Sequence, residues 1–274
     1  MILVNGHTQD HIAVADRGLH YGDGLFETIA VDGGRPRLWD RHLRRLSTGC
    51  RRLGIVQPDP EMLWEEARRV CSGVDRGVLK IILTRGKAGR GYRPLETGQT
   101  TRIMATYPWP AYPEANWQQG VAVRVCTTRL GCNPALAGMK HLNRLEQVLA
   151  RSEWLDPHIA EGLMLDDDGH VIAGTMSNLF IVTTQGLLTP ALTACGVEGI
   201  MRSVILDLVA ELDIAWQEAP LRLEDLHRAD EVFLTNALIG IWPVRRIEQR
   251  EYSIGSLTEL LDGRLQALLG AISR

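Results

Sequence analysis

Short apolar segments next to turn residues predict strands in the first part of the chain. Asn5-Gly6 and the run Asp32-Gly33-Gly34 each follow such a segment and indicate turns. The predicted strands here are Leu3–Val4, Leu25–Val31, Val78–Thr84 and Arg102–Tyr107. A glycine-rich loop, residues 85–92, follows the third of them.

Helical spacing of apolar residues predicts two helices between these strands. The first is indicated by Leu43, Leu46, Cys50 and Leu53, with Asp40 as its cap and Gly54 as its end. The second covers about Pro60–Cys71.

The second half of the chain has the same mixture of patterns. Directly after Lys140, apolar residues at helical spacing predict a helix, and two β-hairpins follow. The predicted strands are 121–126, 162–165, 170–173, 179–182, 186–188, 231–235 and 242–247, and the later helices are about 200–212 and 256–272.

Three prolines between Pro108 and Pro113 cannot continue a sheet, because each lacks a backbone donor. We therefore predict a domain boundary there, with a small N-terminal α+β domain at 1–110 and a cofactor-binding domain at 111–274. Strands gathered in meanders with interspersed helices favour the α+β class over a regular βαβ repeat. Neither a dinucleotide-binding glycine motif nor a P-loop occurs in the sequence.

Composition narrows the class of protein further. The 274 residues are 45% hydrophobic and 23% charged, with a net charge of -3, which is typical of a soluble globular enzyme. We expect no nucleic-acid partner and no membrane association, since no apolar run approaches about 20 residues. Five scattered cysteines without a CxxC pair, and an N-terminus unlike a signal peptide, favour a reducing cytoplasmic compartment and no metal site.

Lysine is scarce in a chain that is rich in arginine. Of 30 basic residues only Lys80, Lys87 and Lys140 are lysine. Lysine can lose its proton when it is partly desolvated, whereas arginine cannot. A lysine kept in the apolar, glycine-flanked segment before Leu142 therefore indicates an amine nucleophile or base. The alternative is a lysine that extends to solvent at the start of a helix.

A glycine turn, Gly196–Gly199, leads into the helix that begins near Ile200. The first amides of a helix lack internal partners and point along its positive end, so this turn can bind a phosphate. Arg45 could contact the same phosphate with two N–H groups. An ordinary loop-to-helix junction and a solvated arginine are the alternatives for these two features.

One amine, a helix start suited to phosphate and an arginine, without a nucleotide motif, together indicate a small phosphorylated aldehyde. Pyridoxal phosphate fits this description.

The sequence also resembles the fold-type IV pyridoxal-phosphate enzymes, which include branched-chain and D-amino acid aminotransferases and aminodeoxychorismate lyase. The resemblance covers nearly the whole chain. It is carried by Asp16–Gly18 with Tyr21–Gly24, His42–Leu46, Gly138–Asn143, Ser177–Phe180 and Gly196–Arg202. Three further stretches resemble the lyases in particular: Ile82–Tyr92, Leu130–Gln147 and Thr235–Leu238.

The resemblance implies a small N-terminal domain, a larger pseudo-barrel C-terminal domain, a homodimer and a cofactor held between the domains. It makes Lys140 the catalytic residue that holds the aldehyde and later moves protons. The implied cofactor-binding positions are Arg45, Lys140, Ala173, Asn178, Gly199, Ile200, Met201, Asn236 and Ala237. The implied substrate-binding positions are Thr28, Arg85, Arg90 and Tyr92.

Position 173 departs from the family pattern. Members usually have a glutamate five residues before the asparagine of the Asn-Leu-Phe run, where it pairs with the pyridine nitrogen. Here Ala173 takes that place before Asn178, through natural divergence or an introduced substitution. Without the carboxylate, the protonated ring nitrogen loses its partner and the cofactor becomes a weaker electron sink.

The resemblance implies a lyase that converts the small molecule 4-amino-4-deoxychorismate to 4-aminobenzoate and pyruvate, a step in folate biosynthesis. Because aromatisation of the substrate supplies driving force, we expect a lyase to tolerate Ala173 better than an aminotransferase. Two alternatives remain at this point. They are a branched-chain or D-amino acid aminotransferase of the same fold, and a catalytically silent homologue that binds the cofactor.

Overall fold

Two β-sheets organise the chain, and each belongs to a separate compact unit. The computed structural model describes residues 1–94 and 98–270. Unit 1 contains Met1–Pro110 together with Met139–Asn143, and unit 2 contains Ala111–Gly138 together with the residues from Arg144 onward.

Unit 1 is a six-stranded sheet with two longer helices against it. Its elements are β1 (Ile2–Val4), β2 (His7–Thr8), α1 (Arg17–Tyr21), β3 (Gly24–Asp32), β4 (Arg35–Pro36), α2 (Trp39–Leu53), α3 (Pro60–Cys71), β5 (Arg76–Thr84) and β6 (Thr101–Pro108). The strand order is β2-β1-β6-β5-β3-β4, and every pair is antiparallel. Apolar residues of α2 and α3 pack on inward-facing residues of β3 and β5, so the core lies between the helices and the sheet.

Helix boundaries in unit 1 follow local chemistry, with one difference from the sequence prediction. α3 begins after Asp59, whose carboxylate accepts a 2.8 Å hydrogen bond from the Glu61 amide. Gly54 ends α2 in the left-handed region, as predicted. Asp40 is not the cap of α2, however. The cap position is Leu38, at a φ of 52°, and Asp40 lies in the first helical turn, where its charge suits the helix dipole.

A short segment distant in sequence completes unit 1. Its backbone runs beside the start of β3: the Phe26 amide donates to the Lys140 carbonyl at 3.0 Å, and the Leu142 amide donates to the Gly24 carbonyl at 3.0 Å. The predicted domain boundary assigns Met139–Asn143 to the second half, whereas these hydrogen bonds hold the segment in unit 1.

Unit 2 is built on a nine-stranded sheet. Its elements are α4 (Ala115–Gln118), β7 (Val121–Val125), α5 (Leu145–Arg151), β8 (Ile159–Leu165), β9 (Val171–Gly174), β10 (Asn178–Thr183), β11 (Gly186–Pro190), α6 (Ile200–Glu211), β12 (Trp216–Ala219), α7 (Leu223–Arg228), β13 (Glu231–Asn236), β14 (Gly240–Ile247), β15 (Arg250–Glu251) and α8 (Ser256–Leu269). The main path is β12-β11-β10-β13-β14-β7-β8-β9, with β15 paired to β14. β9 returns to contact β10 and β11, so the sheet curls into a half-barrel.

The α+β class predicted from the sequence is confirmed. The helix predicted directly after Lys140 begins only at Leu145, because residues 140–142 pair with β3 instead. The last helix ends at Leu269, and its predicted end at Ile272 falls outside the described residues. Among the described residues, no helix is both long enough and apolar enough to cross a membrane.

Candidate active site

Lys140 lies beside an aromatic ring in unit 1. Its Nζ is 4.3 Å from the centroid of the Phe26 ring, and the residue is partly buried. Side chains alternate along a strand, so Phe26 and Thr28 share one face of β3 while Leu25, Glu27 and Ile29 face the core. The amine therefore belongs to the face that carries Thr28.

The Glu27 carboxylate is buried and binds two basic side chains of α2. Arg45 donates from Nε to Oε1 at 2.9 Å and from Nη2 to Oε2 at 2.5 Å. The His42 Nδ1–H donates to Oε2 at 2.6 Å. A bidentate pair of this kind fixes the orientation of the guanidinium.

Electrostatics keep this cluster ionised at the carboxylate and neutral at the imidazole. Burial alone would raise the pKa of Glu27, but the Arg45 charge and hydrogen bonds from both partners lower it to about 2. Burial lowers the pKa of His42 below its ordinary value, although the bond to Glu27 opposes this change. The charge of Lys140 also acts on His42 in the same direction as burial.

Replacing Glu27 with glutamine is expected to remove an acid-sensitive part of the stability. Removing one partner of a buried ion pair costs about 3–5 kcal/mol at pH 7. The native pKa of about 2 lies below the ordinary 4.5, so this stabilisation is complete above pH 4.5 and lost as the pH falls toward 2. The free-energy gap between wild type and Glu27→Gln should therefore shrink by roughly 1.4 kcal/mol between pH 7 and pH 3.5.

Denaturant unfolding at the two pH values measures this gap. Glu65→Gln is the matched control, since Glu65 is an exposed carboxylate that lies 3.8 Å from Arg68 at the protein surface. If the difference in unfolding free energy between wild type and Glu27→Gln stays constant with pH, Glu27 does not have a lowered pKa in the folded protein.

Lys80 is a second amine at the same aromatic ring. It lies opposite Thr28 in the β3–β5 register, and its Nζ is 5.4 Å from the Phe26 ring centroid. Lys80 is not among the site residues predicted from the sequence. Its position in β5, across from the residue that the family pattern had already marked, was the available signal.

Arg85 of the predicted substrate clamp is engaged within unit 1. Its guanidinium donates to both Asp23 oxygens and to the Leu53 and Gly54 carbonyls at the end of α2. Burial would raise the pKa of Asp23, but hydrogen bonds from Arg85 and Arg17 hold it below its ordinary value. Arg85 thus braces the end of α2 against the loop before β3.

The other two residues of that predicted clamp lie in the glycine-rich loop. Arg90 is exposed, and Tyr92 is 84% exposed with its ring 5.3 Å from that of Tyr21. Arg17 donates to the carbonyls of Gly91 and Tyr92 at 2.9 Å, which ties the loop to α1. Their role in substrate binding stays a prediction.

The glycine turn before α6 has the geometry of an anion site. Gly199 is the cap residue in an extended conformation, and no side chain caps the helix. A Cβ at Gly199 would lie 2.0 Å from the Asn178 Oδ1, so only glycine fits there. Asn178 Nδ2 in turn donates to the Val197 carbonyl at 2.9 Å, which orders the turn. The amides of Ile200 and Met201 are thereby presented at the positive end of a 12-residue helix.

Asn236 lies near this turn through the sheet register. Its neighbour Thr235 pairs with Asn178, and its own Nδ2 donates to the Met176 carbonyl at 3.2 Å. Its Oδ1 accepts from the amides of Leu238 and Ile239 at 2.9 Å. Asn236 therefore shapes the turn that carries Ala237, next to the start of β10.

A buried carboxylate that the sequence analysis missed organises the loop between β9 and β10. Glu161 Oε1 accepts from the Thr175 amide and hydroxyl, and Oε2 accepts from the Met176 amide and the Ser177 hydroxyl, at 2.5–3.2 Å. The signal for this contact in the sequence was a pair of small polar residues, Thr175 and Ser177, just after Gly174, with Glu161 in the adjacent strand. The loop delivers the chain directly into Asn178.

Ala173 itself lies in apolar surroundings. It pairs with Met164 across β8 and β9, is 7% exposed, and belongs to a cluster with Ile172, Leu192 and Cys195. Glu161 cannot act in its place without giving up hydrogen bonds, because both its oxygens are bound to the Thr175–Ser177 loop.

One cluster in unit 2 has residue types that bind metals. Asp166, Asp168 and His170 bring their ligand atoms within 4.8 Å of one another. Arg222 already supplies positive charge there: it lies 3.3 Å from the His170 Nε2 and donates to the Asp168 carbonyl at 2.8 Å. Arg222 therefore helps to stabilise the hairpin turn, and the expected lack of a metal site stays a prediction.

Comparison with known proteins gives the family. The family model described as amino-transferase class IV matches residues 24–247, a span that includes Lys140 and Gly199. The chain belongs to the class IV amino-transferase family. Relatives match this chain along almost its whole length.

Three relatives of this class IV amino-transferase differ in what their names state. The aminodeoxychorismate lyase of Vibrio harveyi is 38% identical over 97% of this chain and 99% of its own. The crystal structure of 4-amino-4-deoxychorismate lyase from Pseudomonas aeruginosa is 47% identical, with a TM-score of 0.94 over 97% of this chain and 98% of that one. The branched-chain aminotransferase of Escherichia coli is 27% identical, with a TM-score of 0.89 over 100% and 95%.

Proposed function

We propose that this protein is an aminodeoxychorismate lyase, which converts 4-amino-4-deoxychorismate to 4-aminobenzoate and pyruvate. The observation that carries the proposal is the 47% identity to a 4-amino-4-deoxychorismate lyase, with nearly complete coverage of both chains. The corresponding identity to an aminotransferase of known structure is 27%. The lyase-like stretches Ile82–Tyr92 and Leu130–Gln147 support the same choice.

The residues present suit pyridoxal phosphate as the cofactor. Lys140 offers an amine beside an aromatic ring, as an aldehyde requires. The Gly199 turn offers uncapped helix amides, as a phosphate requires, and a Cβ at that glycine would displace Asn178. Arg45, which Glu27 holds in one orientation, is our proposed side-chain partner of the phosphate.

When bound, the cofactor supplies an electron sink for the carbon that bears the substrate's amine. The protein's own part is to position groups and move protons. Lys140 would take the proton from that ring carbon as a general base. Thr28, on the same face of β3 as Phe26, lines this region. Departure of the enolpyruvyl group as pyruvate then leaves the ring aromatic.

Lys80 is our proposed partner for a substrate carboxylate, because its ammonium lies at the same ring as Lys140. Lys80→Met keeps the aliphatic stem and removes the charge. We expect KM for the dicarboxylate substrate to rise about tenfold or more, since a charged hydrogen bond contributes roughly 1.5–3 kcal/mol. Steady-state kinetics test this, with the exposed Lys87→Met as control. An unchanged KM would exclude Lys80 from substrate binding.

An assay for pyruvate without a keto-acid acceptor separates the candidate reactions. The lyase needs one substrate and releases both pyruvate and 4-aminobenzoate. A branched-chain or D-amino acid aminotransferase, as 27% identity to such an enzyme would allow, turns over only when an acceptor is added. Ala173 favours a third reading, a silent homologue, which would bind the cofactor and release neither product.

We further propose that the protein acts as a homodimer in a reducing, cytoplasmic compartment. α5 presents an apolar surface: Leu145 is 76% exposed, Val148 58% and Leu149 61%, and Leu155 nearby in sequence is 95% exposed. Contiguous apolar surface of this kind marks an interaction site. The five cysteines are all free thiols in the structure, which suits a reducing compartment.

Leu149→Asp is expected to shift the protein from dimer to monomer, because a charge would be buried at the interface. Sedimentation velocity at micromolar concentration measures the change. Leu268→Asp is the control, since Leu268 is 57% exposed and lies on the separate helix α8. A dimer that persists in Leu149→Asp, or a monomeric wild type, would remove α5 from the proposed interface.

A further inference from the structure

Two cysteines of unit 2 lie on adjacent segments although 62 residues separate them in sequence. The two thiols are near enough for Cys132 to contribute to the raised pKa of Cys195. The backbone on either side is also joined, because the Asn133 amide donates to the Ala194 carbonyl at 2.7 Å. Residues 132 and 195 therefore lie next to a direct backbone contact, one on each segment, which is the placement that a disulfide between the two segments needs.

The two segments that carry these cysteines stay paired beyond this contact. The Gly138 amide donates to the Gly196 carbonyl at 3.1 Å, and the Glu198 amide donates back to the Gly138 carbonyl at 3.0 Å. Four residues after Cys195 the chain reaches Gly199. The cysteine pair thus lies at one end of two loops that are hydrogen-bonded to each other.

The two thiols differ in exposure, so that Cys132 reacts with an oxidant before Cys195 does. Cys132 is exposed, so a dissolved oxidant reaches it first. Cys195 is buried; burial and then the neighbouring Cys132, with Asp166 and Glu146 adding negative charge, raise its pKa to about 12. Cys195 is therefore a poor target by itself and a partner that is already in place for its neighbour.

We propose that Cys132 and Cys195 form a reversible disulfide when the protein meets hydrogen peroxide. The Cys132 sulfur attacks one peroxide oxygen and becomes a sulfenic acid, with release of one water. The Cys195 sulfur then displaces hydroxide from that sulfur, and the Cys195 proton leaves with it as a second water. Two thiols and one peroxide give one disulfide and two waters, and a dithiol reductant reverses the change.

Closure of this bond ties the loop that leads toward residue 140 to the loop that leads into α6. It links two segments that are already hydrogen-bonded to each other, while the unfolded chain loses the freedom of a long loop. The oxidised protein should therefore melt at a higher temperature than the reduced protein, by on the order of 5 °C.

Peptide mass spectrometry of the full-length protein tests the proposal. The protein is treated with hydrogen peroxide, free thiols are alkylated, and digestion proceeds without reductant. We expect one cross-linked peptide pair that contains Cys132 and Cys195, two hydrogens lighter than the separate peptides, and absent after dithiothreitol. Cys132→Ser, at an exposed position, and Cys195→Ala should each abolish it, together with the rise in melting temperature.

Cys126→Ala is the matched control, since Cys126 is buried in the same apolar cluster as Cys195. It should leave the cross-link and the melting shift intact. A Cys132 that is oxidised to the sulfinic acid while Cys195 stays unlinked would overturn the proposal. So would a cross-link that joins Cys126 instead.

Discussion

Replacing Lys140 with alanine is expected to lower lyase turnover by at least about 10³-fold, because one amine is proposed both to bind the cofactor and to transfer the proton. The protein should still fold, since Lys140 is partly buried and its backbone contact with Phe26 does not depend on the side chain. Stopped-flow or long-time assays of 4-aminobenzoate release measure the loss.

Lys87→Ala is the control for Lys140→Ala, because Lys87 is exposed and outside the proposed site. Its turnover should match that of the wild type. Addition of a small alkylamine should restore part of the proton transfer in Lys140→Ala. A Lys140→Ala enzyme within tenfold of wild type would remove this residue from the chemistry.

Replacing Ala173 with glutamate is expected to raise turnover about tenfold or more. A carboxylate favours the charged form of an adjacent basic nitrogen by about 1–3 pKa units, and a protonated pyridine is the better electron sink. Without cofactor the new carboxylate would be buried in the apolar cluster of Ile172 and Leu192, so the variant should melt at a lower temperature than wild type. Addition of pyridoxal phosphate should recover more of the melting temperature in the variant than in the wild type.

Ala173→Gln separates charge from size. Glutamine fills nearly the same volume without an ionisable group, so it should show a smaller loss of melting temperature and no gain in turnover. Equal turnover in the glutamate and glutamine variants would mean that position 173 does not act on the ring nitrogen in this protein.

Periodic patterns located most elements because their apolar residues face a core on one side. α3 begins and ends at the predicted residues, since Asp59, Pro60 and the apolar positions 63, 67 and 70 all act locally. The hairpin around Asp167-Asp168-Gly169 follows from turn residues between two apolar strands. Local chemistry was sufficient wherever the neighbours in sequence were also the neighbours in space.

The segment after Lys140 shows where local chemistry was insufficient. Leu145, Val148 and Leu149 have helical spacing, yet they are exposed, and residues 140–142 follow β3 rather than the helix. A pattern of apolar residues indicates a surface that becomes buried, but it does not indicate whether the partner is the same chain. The pairing with β3 depends on residues more than 100 positions away.

Part of the candidate site could be predicted from the sequence for a similar reason. Lys140 and the Gly199 turn were recognisable from residue type and spacing, whereas the partners that orient the site come from distant elements. Glu27 lies on the core face of β3, where a buried carboxylate needs charged partners. A glutamate at a core position of a predicted strand therefore indicated that such partners exist. The hydrogen bonds from Arg45 and His42 to Glu27 could not be predicted from the sequence, because they depend on how α2 packs on the sheet.

Mapping the site of cofactor attachment tests directly whether Lys140 is the residue that binds pyridoxal phosphate. The purified protein is incubated with pyridoxal phosphate, reduced with borohydride, digested and analysed by mass spectrometry. We expect a phosphopyridoxyl group on the peptide that contains Lys140, at close to one per chain, with Lys80 and Lys87 unmodified. Stoichiometric attachment at Lys80 or Lys87, or none at any lysine, would contradict it.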